Sequence, residues 1–189
     1  MFVIKKNNTL RLTLTALLTA IAIVIPMVMP VRVVIEPASF TLASHVPIFF
    51  AMFLSPYIAV AVSLGSAIGF LLAGFPIVIT MRALSHVVFA LIGALYLKNR
   101  QETVLASPMK SQLFSFGIGL IHAGAEVIIV SLFFFGLLSG GDYNESFFYA
   151  VFLLVGVGTV VHSMVDFIIT QFIWKALGKR VSRLAKKVG

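Results

Sequence analysis

Residues 77–97 read IVITMRALSHVVFALIGALYL, bounded by Gly74-Phe75-Pro76 on one side and by Lys98 on the other. A helix rising 1.5 Å per residue needs about 20 such residues to cross a hydrocarbon layer of about 30 Å. The run is apolar on nearly every face, which marks a membrane span rather than the amphipathic helix of a soluble domain. It also carries Arg82 and His86. Ionisable groups inside a span are expensive and point to function by default.

The rest of the chain repeats the pattern. Of its 189 residues, 60% are hydrophobic and only 11% charged, against about 45–50% and about 25% in soluble domains. That excludes a soluble enzyme, a disordered tail and a fibrous protein, and continuous apolar runs exclude the alternating strands of a barrel. Spans are predicted over residues 10–30, 41–55, 57–73, 77–97, 111–138 and 146–174, with polar loops at Lys98–Lys110 and Ser139–Asn144. The expected fold is an all-α integral membrane protein, one six-helix bundle and one domain over 1–189. Basic residues before the first run imitate a signal peptide, but Pro26 and Pro30 follow in place of a small-residue cleavage site, so a mature span is expected. There is no cysteine, which removes disulfides, Cys-ligated zinc and thiol catalysis.

The formal charge is +8, from 14 Lys and Arg against 6 Asp and Glu. Six spans put both termini on one side. Lys5, Lys6, Arg11, Lys98, Arg100, Lys110, Lys175, Lys179, Arg180, Arg183, Lys186 and Lys187 then share that side, 12 of the 14 basic residues. The positive-inside rule assigns that face, and both termini, to the cytoplasm. The basic balance therefore reports topology and contact with the lipid bilayer, not nucleic acid.

All four histidines fall in spans: His45, His86, His122 and His162. Arg82 with His86, His122 with Glu126, and His162 with Asp166 stand at i,i+4, on one helix face. His162 and Asp166 are expected to satisfy each other. Arg82 needs a carboxylate, a route to the interface or an anionic ligand, because His86 cannot neutralise it. Two readings stand for Arg82, His45, His86 and Glu126: a pocket open to the outside, or interhelical glue in which Arg82 pairs with Glu126. A metal site built from His122, Glu126, His162 and Asp166 is an alternative with suitable donors. It lacks the usual ligand spacings, so no metal is expected.

Small residues give a second signal. Ala16 and Ala20 form a small-x-x-x-small step, and Ala61, Gly65, Gly69 and Ala73 recur every four residues. Such stripes let helices approach closely, and packing within the bundle is the expected use of the second. The stretch Val31–Phe40 is either a lid over the pocket or a connector in the interface.

With these features the chain resembles the substrate-binding S component of an energy-coupling factor (ECF) vitamin transporter. The resemblance covers nearly the whole chain. It rests most on Pro37–Leu97, including Ala38-Ser39-Phe40-Thr41-Leu42-Ala43-Ser44-His45-Val46-Pro47, Gly65-Ser66-Ala67-Ile68-Gly69-Phe70 and Arg82-Ala83-Leu84-Ser85-His86. Within the family these segments look most like the niacin-specific member. The resemblance implies a bacterial cell-membrane protein that binds a vitamin outside and docks through Ala16 and Ala20 onto a membrane coupling protein (T component). Two cytoplasmic ATPases would drive that protein. It implies no catalytic residues and no cofactor, ATP being used by the partners; no Gly-x-x-x-x-Gly-Lys-Ser/Thr loop occurs in the chain.

Nicotinate, a pyridine carboxylate, suits the residues. Arg82 can take its carboxylate in a two-pronged contact. His45 or His86 can bond the carboxylate or ring nitrogen, and Phe40, Phe89 and Tyr143 can stack on the ring. Glu126 fits an anion poorly unless it holds His122 or orients Arg82, which leaves hydroxymethylpyrimidine, pyridoxine and pantothenate as alternatives. From other classes, an intramembrane metal enzyme and a ligand-free assembly subunit remain.

Overall fold

A computed structural model describes residues 7–35, 37–138 and 146–188. Helix α1 (Asn8–Val28) starts where the Asn7 side chain accepts a hydrogen bond from the Leu10 N–H at 3.0 Å. Two short strands follow, β1 (Arg32–Ile35) and β2 (Ala38–Thr41), paired antiparallel with Val33 opposite Phe40. Then come α2 (Val46–Leu54), α3 (Pro56–Leu72), α4 (Ile77–Leu97), the short α5 (Gln101–Leu105) and α6 (Pro108–Phe134). A π-helical segment, Phe148–Val157, runs into α7 (Gly158–Val188), which breaks at Gly178.

Among the described residues the regular structure is helical apart from that hairpin. Four of the described helices are long and apolar enough to cross a membrane, α1, α4, α6 and Phe148–Gly178, and α3 is a shorter apolar one. Helix α4 has the bounds expected from the sequence. The second expected span differs. Its helix begins at Val46, not Thr41, because Ala38–Thr41 is taken by β2. With nine residues α2 is only about 13 Å long. It survives because the bundle buries it: every residue but Phe50 is buried. Ser55 ends α2 and caps α3 by accepting from the Ile58 N–H at 3.2 Å, with Pro56 in the first turn, so the split at Ser55-Pro56 is as expected.

Helices α1 and α3 run side by side and in parallel. A Cβ built on Gly65 would lie 2.6 Å from Thr19 Cγ2, and one on Gly69 would overlap Ile23. The α3 stripe is therefore consumed by packing inside the molecule, as the sequence suggested. The hairpin, the turn and α2 bring the chain back between these two parallel helices. The chain ends meet: the Asn7 N–H donates to the Lys187 carbonyl at 3.2 Å. At that end Arg11 lies 4.7 Å from the Tyr57 ring and Arg100 lies 4.8 Å from the Tyr96 ring.

Exposure is inverted relative to a soluble protein. Leu72, Leu113 and Phe172 are largely exposed, while Ser63, Ser111, Ser163 and Asp166 are completely buried. Inside, α2 is the hub of an aromatic core, with Phe49 5.4 Å from Phe167 and Phe53 5.1 Å from Trp174.

Candidate substrate-binding site

The polar groups gather at the hairpin end of this core. Ala43 adopts φ +67°, a left-handed conformation that costs a non-glycine residue about 1 kcal/mol or more. Asp166 on α7 holds it there. Its Oδ1 accepts the Ala43 N–H at 2.7 Å and its Oδ2 accepts the His45 N–H at 2.9 Å. The carboxylate thus supplies acceptors at the α2 N-terminus, where no side chain of α2 itself does so. Oδ2 also lies 3.1 Å from His45 Nδ1.

His162 and Asp166 pair one turn apart as expected, Nε2 to Oδ2 at 3.4 Å, but not exclusively. His162 Nε2 is 3.1 Å from Ser44 Oγ, and the shorter contacts of Asp166 run across the bundle to the turn.

Glu126 is the second hub. Its Oε2 accepts from Arg82 Nη2 at 2.9 Å and from the Thr159 hydroxyl at 2.6 Å, and its Oε1 lies 3.2 Å from His86 Nε2. Arg82 Nη1 donates to the Pro37 carbonyl at 3.1 Å, tying the hairpin tip to α4. Arg82 Nε has no hydrogen-bond partner among the described residues. Phe40 lies across the group, its ring 5.9 Å from the Arg82 guanidinium and 5.4 Å from the His162 ring. It needs Gly158 beneath it, since a Cβ there would come within 2.6 Å of Phe40 Cζ.

These residues border a cavity of about 210 Å³. Phe40, Ser44, His45, Arg82, His86, Glu126, Thr159 and His162 line it, with an apolar wall from Ile48, Phe70, Phe75 and Ile79. Of the residues singled out in the sequence, Arg82, His86, His45, Glu126 and Phe40 meet here. His122 sits behind the lining, fully buried, with its ring 4.7 Å from His45 and 4.8 Å from His86. Tyr143 lies outside the described residues. Phe89 stacks under His122 at 4.3 Å rather than in the cavity.

Sequence reasoning missed Thr159, Ser44 and the Pro37 carbonyl. Thr159 was findable. It stands with His162, Ser163 and Asp166 at i, i+3, i+4 and i+7, a polar stripe on an apolar helix. Ala16 and Ala20 lie far from the cavity, exposed on α1, on the opposite side from its buried Leu18, Ala22 and Pro26.

Comparison with known proteins identifies the family. Residues 6–179 match the family model described as "ECF-type riboflavin transporter, S component". The chain is 39% identical over 175 residues to "Niacin transporter NiaX" of Lactococcus lactis subsp. cremoris (strain MG1363), covering 93% of this chain and 78% of that protein. No solved structure matches it. Family membership and several membrane-length apolar helices make the chain a multi-pass protein of the cell membrane. It belongs to the S-component family of ECF-type transporters, vitamin-binding transport proteins rather than enzymes.

Proposed function

We propose that the chain captures nicotinate from outside the cell and delivers it through a shared energising module. The observation that carries the reading is a buried guanidinium, Arg82, on the wall of a cavity of about 210 Å³. Pockets for drug-sized ligands run to about 300–1,000 Å³. The cavity therefore suits a single-ring vitamin better than the three fused rings of riboflavin named by the family model. The niacin-transporting relative supports the same choice.

In this reading Glu126, although it borders the cavity, has its charge engaged by Arg82 and orients it. Arg82 Nε and a second in-plane hydrogen of its Nη groups take the carboxylate in a two-pronged contact, His45 and His86 bond the ring nitrogen or carboxylate, and Phe40 stacks. Tyr143 completes the set. The hairpin, fastened through Pro37 and Arg82, closes the cavity.

The reading includes six spans over one domain, 1–189, with both termini cytoplasmic. Adjoining chain ends and the Arg–Tyr pairs beside them support this. The exposed Ala16–Ala20 face of α1 docks onto a membrane coupling protein, and ATP is hydrolysed by two separate subunits. The vitamin reading by itself needs no cofactor.

One observation favours a second reading. The Arg82–Glu126 ion pair already neutralises the guanidinium, which suits an uncharged ligand such as nicotinamide or a pyrimidine. Calorimetric titration of the purified protein with nicotinate, nicotinamide, hydroxymethylpyrimidine and riboflavin decides. Nicotinate binding at least tenfold tighter than the others is expected. Tighter nicotinamide binding would move the assignment to the uncharged class, and tight riboflavin binding would refute the size argument.

A further inference from the structure

We propose that His45, His86 and His122 form a site for one zinc-class divalent metal ion. The sequence suggested a different and less suitable set, and the geometry replaces it. The three histidines come from the turn before α2, from α4 and from α6. One ring nitrogen from each lies within 4.8 Å of the other two, and all three residues are buried.

The hydrogen bonds decide which nitrogens are free. A carboxylate only accepts. His45 Nδ1, 3.1 Å from Asp166, therefore carries its proton, and Nε2 keeps a lone pair. By the same rule His86 Nε2 donates to Glu126 at 3.2 Å and leaves Nδ1 bare. His122 Nδ1 meets the Ser163 hydroxyl at 3.4 Å, a group able to accept the Nδ1 proton and leave the lone pair on Nε2. Both His86 Nδ1 and His122 Nε2 are buried without a hydrogen-bond partner among the described residues. His122 Nε2 stands 3.4 Å from Glu126 Oε1, outside hydrogen-bond geometry. Each ring is thus anchored outward through one nitrogen, and those of His86 and His122 are unsatisfied at the other. Metal-ligating histidines show this arrangement, with a carboxylate or hydroxyl behind the ligand fixing ring and tautomer.

Distance and charge agree. Three donors no more than 4.8 Å apart lie at most about 2.8 Å from the centre of their triangle, so each closes by about 0.7 Å or less to reach the Zn–N distance of about 2.0–2.1 Å. Three imidazoles and an open position suit zinc, cobalt or nickel. The cluster holds two carboxylates, Glu126 and Asp166, against one guanidinium, Arg82, and a divalent ion reverses that imbalance. A protonated histidine would also supply charge. On His86 it would, however, place a second N–H at Nδ1, which has no hydrogen-bond partner among the described residues. With the ion present both nitrogens of His45 and His86 are taken. The ion, in place of these rings, then meets the ligand, and a site whose arginine is already paired regains a positive charge for an anionic one. The site itself does not depend on which vitamin binds.

The test is titration of the untagged, full-length protein in detergent, stripped with EDTA, using Co²⁺ and then competing Zn²⁺. One equivalent of Co²⁺ should bind with the intense visible bands of a four- or five-coordinate nitrogen site, and Zn²⁺ should abolish them. His122→Gln should lose the bands and weaken binding more than about 100-fold, and Asp166→Asn should weaken it about 10–100-fold. No stoichiometric uptake by the native protein, or only the pale spectrum of a six-coordinate surface ion, would overturn the proposal whether or not the variants fold. Undiminished bands in folded His122→Gln would overturn the ligand set. Nicotinate is titrated into stripped and loaded protein in parallel. Nicotinate binding without metal uptake refutes the metal alone, and metal uptake without nicotinate binding refutes the vitamin alone.

Discussion

Replacing Asp166 by alanine should be strongly destabilising while leaving the helices themselves intact. The carboxylate is completely buried and accepts two backbone N–H groups, from Ala43 at 2.7 Å and His45 at 2.9 Å. Hydrogen bonds to a charged group contribute about 1.5–3 kcal/mol each, so the two amount to about 3–6 kcal/mol. Removing a buried charge returns part of this, because its desolvation cost vanishes. A net loss of about 3 kcal/mol is expected, a large share of a typical total of about 5–15 kcal/mol. For a chain of this size that is a fall in Tm of about 6–12 °C. The left-handed Ala43 loses what holds it, so the turn over residues 42–45 should loosen and His45 should leave the cavity wall. Thermal unfolding in detergent reads the first effect. Protection of the His45 and Val46 amides from hydrogen exchange reads the second. A fall in Tm below about 2 °C with undiminished protection would refute the claim that Asp166 organises the turn.

Gly69→Leu should lower stability by about 1–3 kcal/mol, because the new side chain meets Ile23 of α1; an unchanged Tm would mean that α1 and α3 do not pack this closely. Ala16→Trp combined with Ala20→Trp should abolish uptake in cells while ligand binding to the isolated protein survives, since both positions are exposed on α1; normal transport and normal pull-down of the coupling protein would remove that face from docking. The chain has no native cysteine, so a cysteine at Asn144 should react with an impermeant reagent in intact cells; labelling only after permeabilisation would reverse the orientation.

Helix α4 was legible to the residue because Pro76 and Lys98 punctuate an unbroken apolar run. The second span was not, because Phe40 and Thr41 read equally well as helix or strand over so short a stretch. Only the pairing of Val33 with Phe40 settles it. Within the site, residue types were legible and partners were not. Helical spacing marked His162 and Asp166 as neighbours, yet the carboxylate reaches 121 positions away to His45. The Arg82–Glu126 pair spans 44 positions, and only the packing of α4 against α6 brings it together. The α3 glycines and the α1 alanines looked alike in sequence. What distinguishes them is which face of each helix the bundle covers.

The account stands most directly on Arg82 as the group that holds the vitamin's carboxylate. Nicotinate should be titrated calorimetrically into native, Arg82→Ala and Arg82→Lys proteins, with thermal unfolding run beside it. Stranding a carboxylate in a buried site costs about 2–5 kcal/mol, or roughly 30-fold to several thousand-fold in affinity. Arg82→Ala should lose that much, and Arg82→Lys should recover only part of it, because lysine lacks the two-pronged geometry. Equal nicotinate affinity in native and Arg82→Ala protein would contradict the account and leave Arg82 as the structural partner of Glu126.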